Sequence, residues 1–392
     1  MDFPERFSNL PAYAFPRLRA LLDVHEPGGE ILHMLIGEPK HAYPTFVDEV
    51  LARAVKGFNS YPNNNGTDAL LSAIADWNRR RHGIALDPST NLLALNGTRE
   101  GLFNAVLALC PEKKNGARPK VLMPNPFYQV YAIGTLTAAA EPVYVNATAE
   151  TGYLPDFESV DKKQLDETAI AFICTPSNPQ GSIANYDYLK SLIALAEKHD
   201  FYVFSDECYS EIYYGEPPVS ALKVAQDMGA NPNRVVVFNS LSKRSNLPGL
   251  RSGFVASGAE NIAALRQLRA YAGAPLPTPL QDVAEAVWQD ETHVVENRAL
   301  YQKKRDMAAE VFADKPAIKM PDGGFFLWLN IENDEAATLK LWQDAGLRVL
   351  PGSYLARDTK SGNPGREYIR VALVAPFEDV KRGLLTIREI MY

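Results

Sequence analysis

The residues best suited to covalent chemistry lie between Ser240 and Phe254, in the run Ser-Leu-Ser-Lys-Arg-Ser-Asn-Leu-Pro-Gly-Leu-Arg-Ser-Gly-Phe. One lysine, Lys243, stands between the hydroxyls of Ser240 and Ser242 and a later arginine, Arg251. Burial and a neighbouring cation both disfavour an ammonium ion, so such a lysine sheds its proton more readily than a free one, and the neutral amine can attack a carbonyl carbon. A lysine after a strand is also a common surface feature. Its meaning depends on what the rest of the chain places beside it.

Short unbroken apolar runs recur along the chain: Leu92 to Leu95, Val121 to Met123, Ala169 to Cys174, Tyr202 to Phe204, Val235 to Phe238 and Gly253 to Ala256. Amphipathic segments lie between them, such as the one carrying Leu70, Leu71, Ile74 and Trp77 and ending near Gly83, and Tyr186 to His199. Strands that are apolar on both faces, alternating with helices, predict an α/β domain with a mainly parallel sheet. Composition shifts near Gly273 to Pro279. Beyond it we expect one long helical stretch from about Leu280 to Phe312, with Val283, Val287 and Leu300 turned inward, then the apolar Phe325 to Ile331, a helix near Ala336 to Ala345, and strands around Arg348 and Ile369. The expected organisation is a large α/β unit over residues 45–280 and a smaller α+β unit made of residues 1–44 and 281–392. Residues from Phe7 to Leu22 read as an extended arm leading into a short helix.

In a parallel α/β sheet, polar residues just past the carboxyl ends of strands gather at one rim, where helix N-termini also point. This chain puts a telling set there. Thr98 and Arg99 open a helix directly after Gly97, which suits a phosphate. Tyr128, after two prolines, offers a flat ring, Asn178 stands in an Asn-Pro turn, Asp206 ends a strand with Tyr209 three residues on, and Ser240, Ser242, Lys243 and Arg251 complete the group. Each alone also reads as a cap, a turn or a surface charge; their joint order points elsewhere. A phosphate for Thr98, Arg99, Ser240, Ser242 and Arg251, an aldehyde for Lys243 and a ring for Tyr128 describe pyridoxal 5'-phosphate. Asp206 facing the pyridine nitrogen would keep it protonated, making the ring an electron sink, and Asn178 and Tyr209 could donate to the ring oxygen O3'. Ile36-Gly37-Glu38-Pro39 reads equally as a close-approach site or a plain turn.

Other chemistries find less support. The six histidines have no metal spacing, no GxxxxGK occurs, and no two glycines stand at i, i+2 for a dinucleotide turn. A net charge of -7 argues against nucleic acid as a partner. Arg79-Arg80-Arg81 reads as the solvated last turn of a helix. Three widely spaced cysteines, Cys110, Cys174 and Cys208, offer no disulfide framework, and Cys110 and Cys174 are expected as packing residues in a reducing compartment. The amino terminus has charges where a signal peptide needs an apolar stretch, and no apolar run reaches membrane length, so a cytoplasmic protein is expected, with no membrane as partner.

The chain resembles the class I/II aminotransferases, pyridoxal-phosphate enzymes of fold type I, over nearly all its length. The pieces that carry the likeness are Ile36 to Pro39, Tyr61 with Gly66, Asn96 to Glu100, Pro126 to Tyr128, Asn178-Pro179-Gln180-Gly181, Asp206 to Tyr209, Ser240 to Arg251, Pro351 to Ser353 and Ile369 to Val371. Gln180 departs from the family's usual threonine, while the asparagine that makes the contact is kept. The resemblance implies a seven-stranded, mainly parallel sheet between helices and a catalytic set of Lys243, Asp206 and Tyr209. It further implies a homodimer in which Tyr61 reaches the neighbour's phosphate, and binding of the substrate α-carboxylate by Arg370 with Asn178 and the Gly37 backbone; a guanidinium fork matches a carboxylate in two parallel bonds. Within the family, Ser242 to Arg251, Gly37 to His41 and Leu350 to Leu355 are most similar to succinyldiaminopimelate aminotransferases, which implies glutamate and 2-oxoglutarate as partner pair and a place in lysine synthesis through diaminopimelate. Aspartate, alanine or aromatic aminotransferases, carbon-sulfur lyases and the effector-sensing half of some regulators share the fold and motifs. Arg17, Arg19 and Lys40 are candidates for a distal substrate carboxylate or for contacts of the amino-terminal arm.

Overall fold

The computed structural model describes Phe7, Leu10 and residues 13–392. Its strands are β1 (Leu32–His33), β2 (Leu92–Leu95), β3 (Lys120–Asn125), β4 (Glu141–Asn146), β5 (Thr168–Cys174), β6 (Tyr202–Asp206), β7 (Val235–Ser240), β8 (Gly253–Ala256), β9 (Phe326–Asn330), β10 (Leu347–Arg348), β11 (Leu350–Pro351) and β12 (Tyr368–Ala372). Seven of them form one sheet in the order β2-β8-β7-β6-β5-β3-β4. Only β8 runs against its neighbours. The carboxyl ends of the other six therefore share one rim.

The apolar runs become strands because both sheet faces are covered. Every residue of β2, β5, β7 and β8 is buried. Helices Asp68–His82, Tyr186–His199, Ala221–Met228 and Thr278–Gln289 pack on one face, and Thr98–Leu109, Gln129–Thr137 and Ala259–Arg269 on the other. Helix Asp68–His82 follows its sequence signals: the Thr67 hydroxyl accepts from Leu70 N at 3.3 Å, and Gly83, at φ +68°, closes the far end. The edge strand β4 escapes the sequence reading because it is only half-buried and lacks a continuous apolar run. Helix Phe377–Met391, not among the expected elements, carries its own signal: Val380, Leu384 and Ile387 stand at i, i+4, i+7 after Pro376.

A second, antiparallel sheet in the order β11-β12-β9 has its own apolar cluster with helices Asp334–Ala345 and Phe377–Met391. The helical stretch expected from Leu280 to Phe312 is two helices, Thr278–Gln289 and Thr292–Val311. Asp290 breaks it: its backbone is extended and its carboxylate accepts from His293 N at 3.1 Å, which favours a new start. The change of direction leaves Leu300 43% exposed rather than inward. Val283 and Val287 do face inward, but onto the core of the large sheet. The helix Ala14–Leu22 forms as expected, whereas most of the arm before it lies outside the described residues.

Arg79-Arg80-Arg81 does close a helix, but its solvation is uneven. Arg79 is exposed and paired with Asp76, whereas Arg81 pairs with the buried Glu211 at 2.8 Å and Arg80 donates to the Trp288 carbonyl at 3.1 Å. The positively charged turn is thus partly a clamp between elements.

The stretch from Leu241 to Ser252 is the return loop between the antiparallel neighbours β7 and β8, with Ser240 opposite Gly253. The loop is anchored from behind by Arg244. Its guanidinium, 1% exposed as a residue, lies 4.9 Å from the Trp288 ring centre and donates to the Val287 and Asp290 carbonyls and to Glu291 Oε1 at 2.7 Å. Trp288 in turn packs on Trp77, ring centres 4.8 Å apart, and on Phe254 at 5.3 Å. Trp288→Ala should cost about 3–5 kcal/mol through the cavity it leaves. A lowered midpoint in urea unfolding followed by far-UV circular dichroism checks this, and an unchanged midpoint contradicts it.

Candidate active site

At the carboxyl rim of the large sheet, where the second sheet approaches it, lies a cavity of about 510 Å³. Thr98, Arg99, Tyr128, Asn178, Asp206, Tyr209, Ser240, Ser242, Lys243 and Arg251 line it from the large-sheet side, and Gly37 and Arg370 from the other. Of the residues expected to hold the cofactor, Tyr61 alone is elsewhere: it is fully exposed.

Asp206 ends β6 at the cavity floor, 6% exposed. No described residue forms an ion pair with it. Its Oδ2 accepts from the Tyr131 hydroxyl at 2.7 Å and its Oδ1 from Cys208 N at 3.2 Å. Burial pushes the carboxyl up from its ordinary value, while these hydrogen bonds and the Lys243 cation pull it back. Tyr131 escaped the sequence reading. Its signal was position: it follows Tyr128 by three residues, and its ring is stacked 4.3 Å from Phe172.

One wall can hold an anion. Helix Thr98–Leu109 points its N-terminus at the cavity, and the Arg251 guanidinium lies over Gly97 so closely that a Cβ there would sit 2.0 Å from an Arg251 nitrogen. Gly97 is at φ +80°, so both its space and its backbone require glycine. The β7–β8 register brings Arg251 back beside Ser240, whose Oγ lies 3.0 Å from Ser242 Oγ. A guanidinium without an ion-pair partner among the described residues, beside the positive end of a helix, is unfavourable until an anion joins it. Arg99 donates through Nε to the Tyr128 hydroxyl at 2.9 Å, and Thr98 Oγ1 lies 3.2 Å from Cys208 Sγ.

Lys243 rises from the return loop, and its Nζ donates to the Gly37 carbonyl at 2.5 Å. Burial, foremost, lowers its pKa to about 8, with Arg370 and Arg251 adding to the effect and Cys208 and Glu38 opposing it. Burial and Arg251 are the causes visible in the sequence; Arg370, 127 positions away in the chain, is the larger of the two cationic contributions.

Arg370, on β12, is 5% exposed and has no carboxylate partner among the described residues. It donates to Asn178 Oδ1 at 2.9 Å and to the Leu35 carbonyl at 2.7 Å, lies 4.3 Å from the Phe326 ring centre, and its Nε is buried without a hydrogen bond. Burial lowers its pKa to about 10. Because a guanidinium only donates, the Asn178 oxygen must face it, which turns the amide NH₂ the other way. That NH₂ and the Tyr209 hydroxyl make no hydrogen bond among the described residues, so both donors are free. Gly37 has the Phe326 ring against it, 2.3 Å from where a Cβ would stand, which is the close approach a plain turn would not need. Arg17 lies 3.7 Å from the Tyr354 ring centre and pairs with Glu335, and Lys40 pairs with Glu38. Neither lines the cavity.

The Aminotransferase class I and II family model matches residues 30–383. The LL-diaminopimelate aminotransferase of Dehalococcoides mccartyi is 31% identical, over 98% of this chain and 97% of its own. Among solved structures, an aminotransferase from Neisseria meningitidis has a TM-score of 0.95 at 36% identity, with all of both chains covered, and the aminotransferase AspB of Helicobacter pylori a TM-score of 0.90 at 32% identity, with 99% of each covered. The chain belongs to the class I and II aminotransferases. These are pyridoxal 5'-phosphate enzymes, and the protein is a pyridoxal-phosphate-dependent transaminase. The residues present fit that cofactor on physical grounds: a depressed lysine for the aldehyde, an uncompensated anion site for the phosphate, a buried carboxylate lacking a cation for the pyridinium, and two free donors for a ring oxygen.

Two outcomes follow from the geometry. The rate at which cofactor-free protein captures pyridoxal 5'-phosphate should rise about tenfold per pH unit and level off near pH 8, where the amine becomes neutral; stopped-flow absorbance measures it, and a rate still climbing beyond about pH 10 would mean an ordinary lysine. Tyr131→Phe removes one of the donors that hold Asp206 charged, worth about 1.5–3 kcal/mol. Cofactor dissociation, followed by fluorescence, should be roughly tenfold to a hundredfold easier.

Proposed function

We propose that the protein exchanges amino groups between an α-amino acid and a 2-oxo acid, with glutamate and 2-oxoglutarate as one pair and N-succinyl-LL-2,6-diaminopimelate as the other amino substrate. The observation that carries the reading is Arg370: a buried guanidinium without an anionic partner among the described residues, beside a lysine whose proton is loosely held. A substrate α-carboxylate supplies the missing charge, and the fork accepts it in two parallel bonds.

In this reading Thr98, Arg99, Ser240, Ser242 and Arg251 hold the cofactor phosphate, Tyr128 packs on its ring, and Asn178 and Tyr209 donate to its ring oxygen. Bound pyridoxal 5'-phosphate supplies an aldehyde and an electron sink. The Lys243 amine would hold the cofactor's aldehyde carbon and, when free, would act as the base that takes and returns the proton at the substrate α-carbon. Asp206 keeps the pyridine nitrogen charged. Arg370, Asn178 and the Gly37 backbone would bind the substrate α-carboxylate and so orient its α-carbon toward the Lys243 amine.

The diaminopimelate assignment is supported by the run Ser242 to Arg251 and by the name of the Dehalococcoides mccartyi relative. That name favours unmodified LL-diaminopimelate as a second reading of the substrate. We further propose a homodimer, supported by the exposed ring of Tyr61, which would reach the second copy's phosphate; a cytoplasmic place in lysine synthesis; and a division into a large unit over 45–280 and a small unit of 1–44 and 281–392, with helix Thr278–Gln289 packing back across that division onto the large-sheet core. Among the described residues no helix is long and apolar enough to cross a membrane.

A half-reaction screen tests the function. Glutamate should shift the visible absorbance of the cofactor-loaded protein, 2-oxoglutarate should reverse it, and succinylated and free LL-diaminopimelate are compared in the same format. Pyruvate release from cystathionine with no 2-oxo acid present would indicate a lyase instead. Arg370→Lys keeps the charge but loses the fork, and should raise KM for glutamate by roughly tenfold to a hundredfold.

A further inference from the structure

Behind Lys243, outside the cavity, runs a chain of buried and half-buried polar groups that the reaction as described leaves unused. Lys304, 3% exposed, has no carboxylate partner among the described residues. Its Nζ donates to the Ala375 carbonyl at 2.6 Å and to His41 Nε2 at 2.8 Å. His41 Nδ1 lies 2.9 Å from Asn297 Oδ1, and Asn297, 4% exposed, donates through Nδ2 to the carbonyls of Lys243 and Arg244, each at 3.4 Å. Asn246 closes the ring, donating to Asn297 Oδ1 at 3.0 Å and to the Ala42 carbonyl at 3.2 Å.

The donors make this chain directional. An ammonium group can only donate, so His41 Nε2 accepts and Nδ1 carries the proton. That proton meets the Asn297 oxygen, which turns the Asn297 amide NH₂ toward the lysine loop. A second proton on His41 would set two donors face to face at Nε2. Burial and the Lys304 cation both act against it, holding His41 below its ordinary pKa, while the Asn297 bond acts the other way. The His41 ring lies 4.4 Å from Tyr301, which stacks on Phe325 at 5.2 Å.

What the network joins gives it a role. The segment that ends in His41 also contributes Leu35, whose carbonyl accepts from Arg370, and Gly37, whose carbonyl accepts from Lys243. Lys304 reaches the Ala375 carbonyl just past the strand that carries Arg370. Four parts of the chain are tied at one point: the 35–42 segment, the lysine loop, helix Thr292–Val311 and the end of β12. We propose that His41 and Lys304 are positioning residues for transamination, locking the 35–42 segment and the Lys243 loop to one helix so that the Lys243 amine and the Arg370 guanidinium keep a fixed spacing across the substrate. The inference rests on the transaminase site described above.

His41→Phe, which keeps a ring against Tyr301 but removes both hydrogen bonds, tests it in the cofactor-loaded protein. We expect the absorbance titration of the bound cofactor to move by about half a pH unit or more. We also expect kcat/KM for glutamate to fall roughly tenfold to a hundredfold, with KM raised, as misplacement of reacting groups by fractions of an ångström would cause. His41→Gln, which keeps an acceptor for Lys304, should recover part of both effects. Should His41→Phe fail to fold, Lys304→Met, which leaves the His41 to Asn297 bond in place, carries the same test with smaller changes in both readouts. A titration and a KM equal to wild type, in whichever of these variants folds, would overturn the proposal even if thermal stability drops, because a purely structural network would move stability alone. If wild-type protein responds to no amino donor, the transaminase substrate reading fails instead, and the cofactor titration still decides the positioning role.

Discussion

Arg370 is kept from water without an anionic partner among the described residues, and its neighbours make that tolerable. A buried guanidinium is costly, and among the described residues it is met by neutral acceptors, the Leu35 carbonyl and the Asn178 amide, and by the face of Phe326. Neutral acceptors satisfy hydrogen bonds but leave the charge uncompensated, so a carboxylate entering the cavity meets an already desolvated partner. The acceptors come from places far apart in the chain. Arg370 therefore has its environment only when the antiparallel sheet, the segment after β1 and the turn after β5 are all in place.

The same economy governs the other charges. Lys243 donates to a carbonyl, Arg251 to the Pro248 carbonyl at 2.9 Å, and Asp206 accepts from a tyrosine and a backbone amide. Lys243, Arg251, Arg370 and Asp206 line one cavity without pairing with one another. Arg370, Arg251 and Asp206 are each left with capacity for a ligand group of opposite charge: carboxylate, phosphate and pyridinium. The imbalance also lowers the lysine pKa, since Arg370 and Arg251 add to what burial does. Binding capacity and amine reactivity thus share a cause in these cations, which add to the larger effect of burial.

Holding such a site takes rigidity behind it. The lysine loop is fastened by Arg244 to helix Thr278–Gln289 and by Asn297 to the next helix, and Asp290 makes two helices out of what would otherwise be one. Pinning the loop to both helices fixes Lys243 from two directions. Buried polar ties of this kind contribute less to stability than apolar packing of the same volume would, but they accept only one arrangement.

By itself the sequence determined the sheet-forming runs, because burial on both faces writes an unbroken apolar signature, and it determined the rim residues, because strand ends in a parallel sheet put their following polar residues in one place. Lys243, Asp206, Asn178 and the Gly97–Thr98–Arg99 turn were legible for that reason. The half-buried β4 and the helix break at Asp290 were not, since a half-exposed strand loses its pattern and one aspartate outweighed a continuing apolar period. Only the tertiary structure decided that Tyr131 bonds Asp206, that Arg370 rather than Arg251 is the stronger cation felt by Lys243, and that His41 and Lys304 stand behind the lysine. These are contacts between residues up to 263 positions apart. Their strength depends on distance and burial, which no local pattern of residue types encodes.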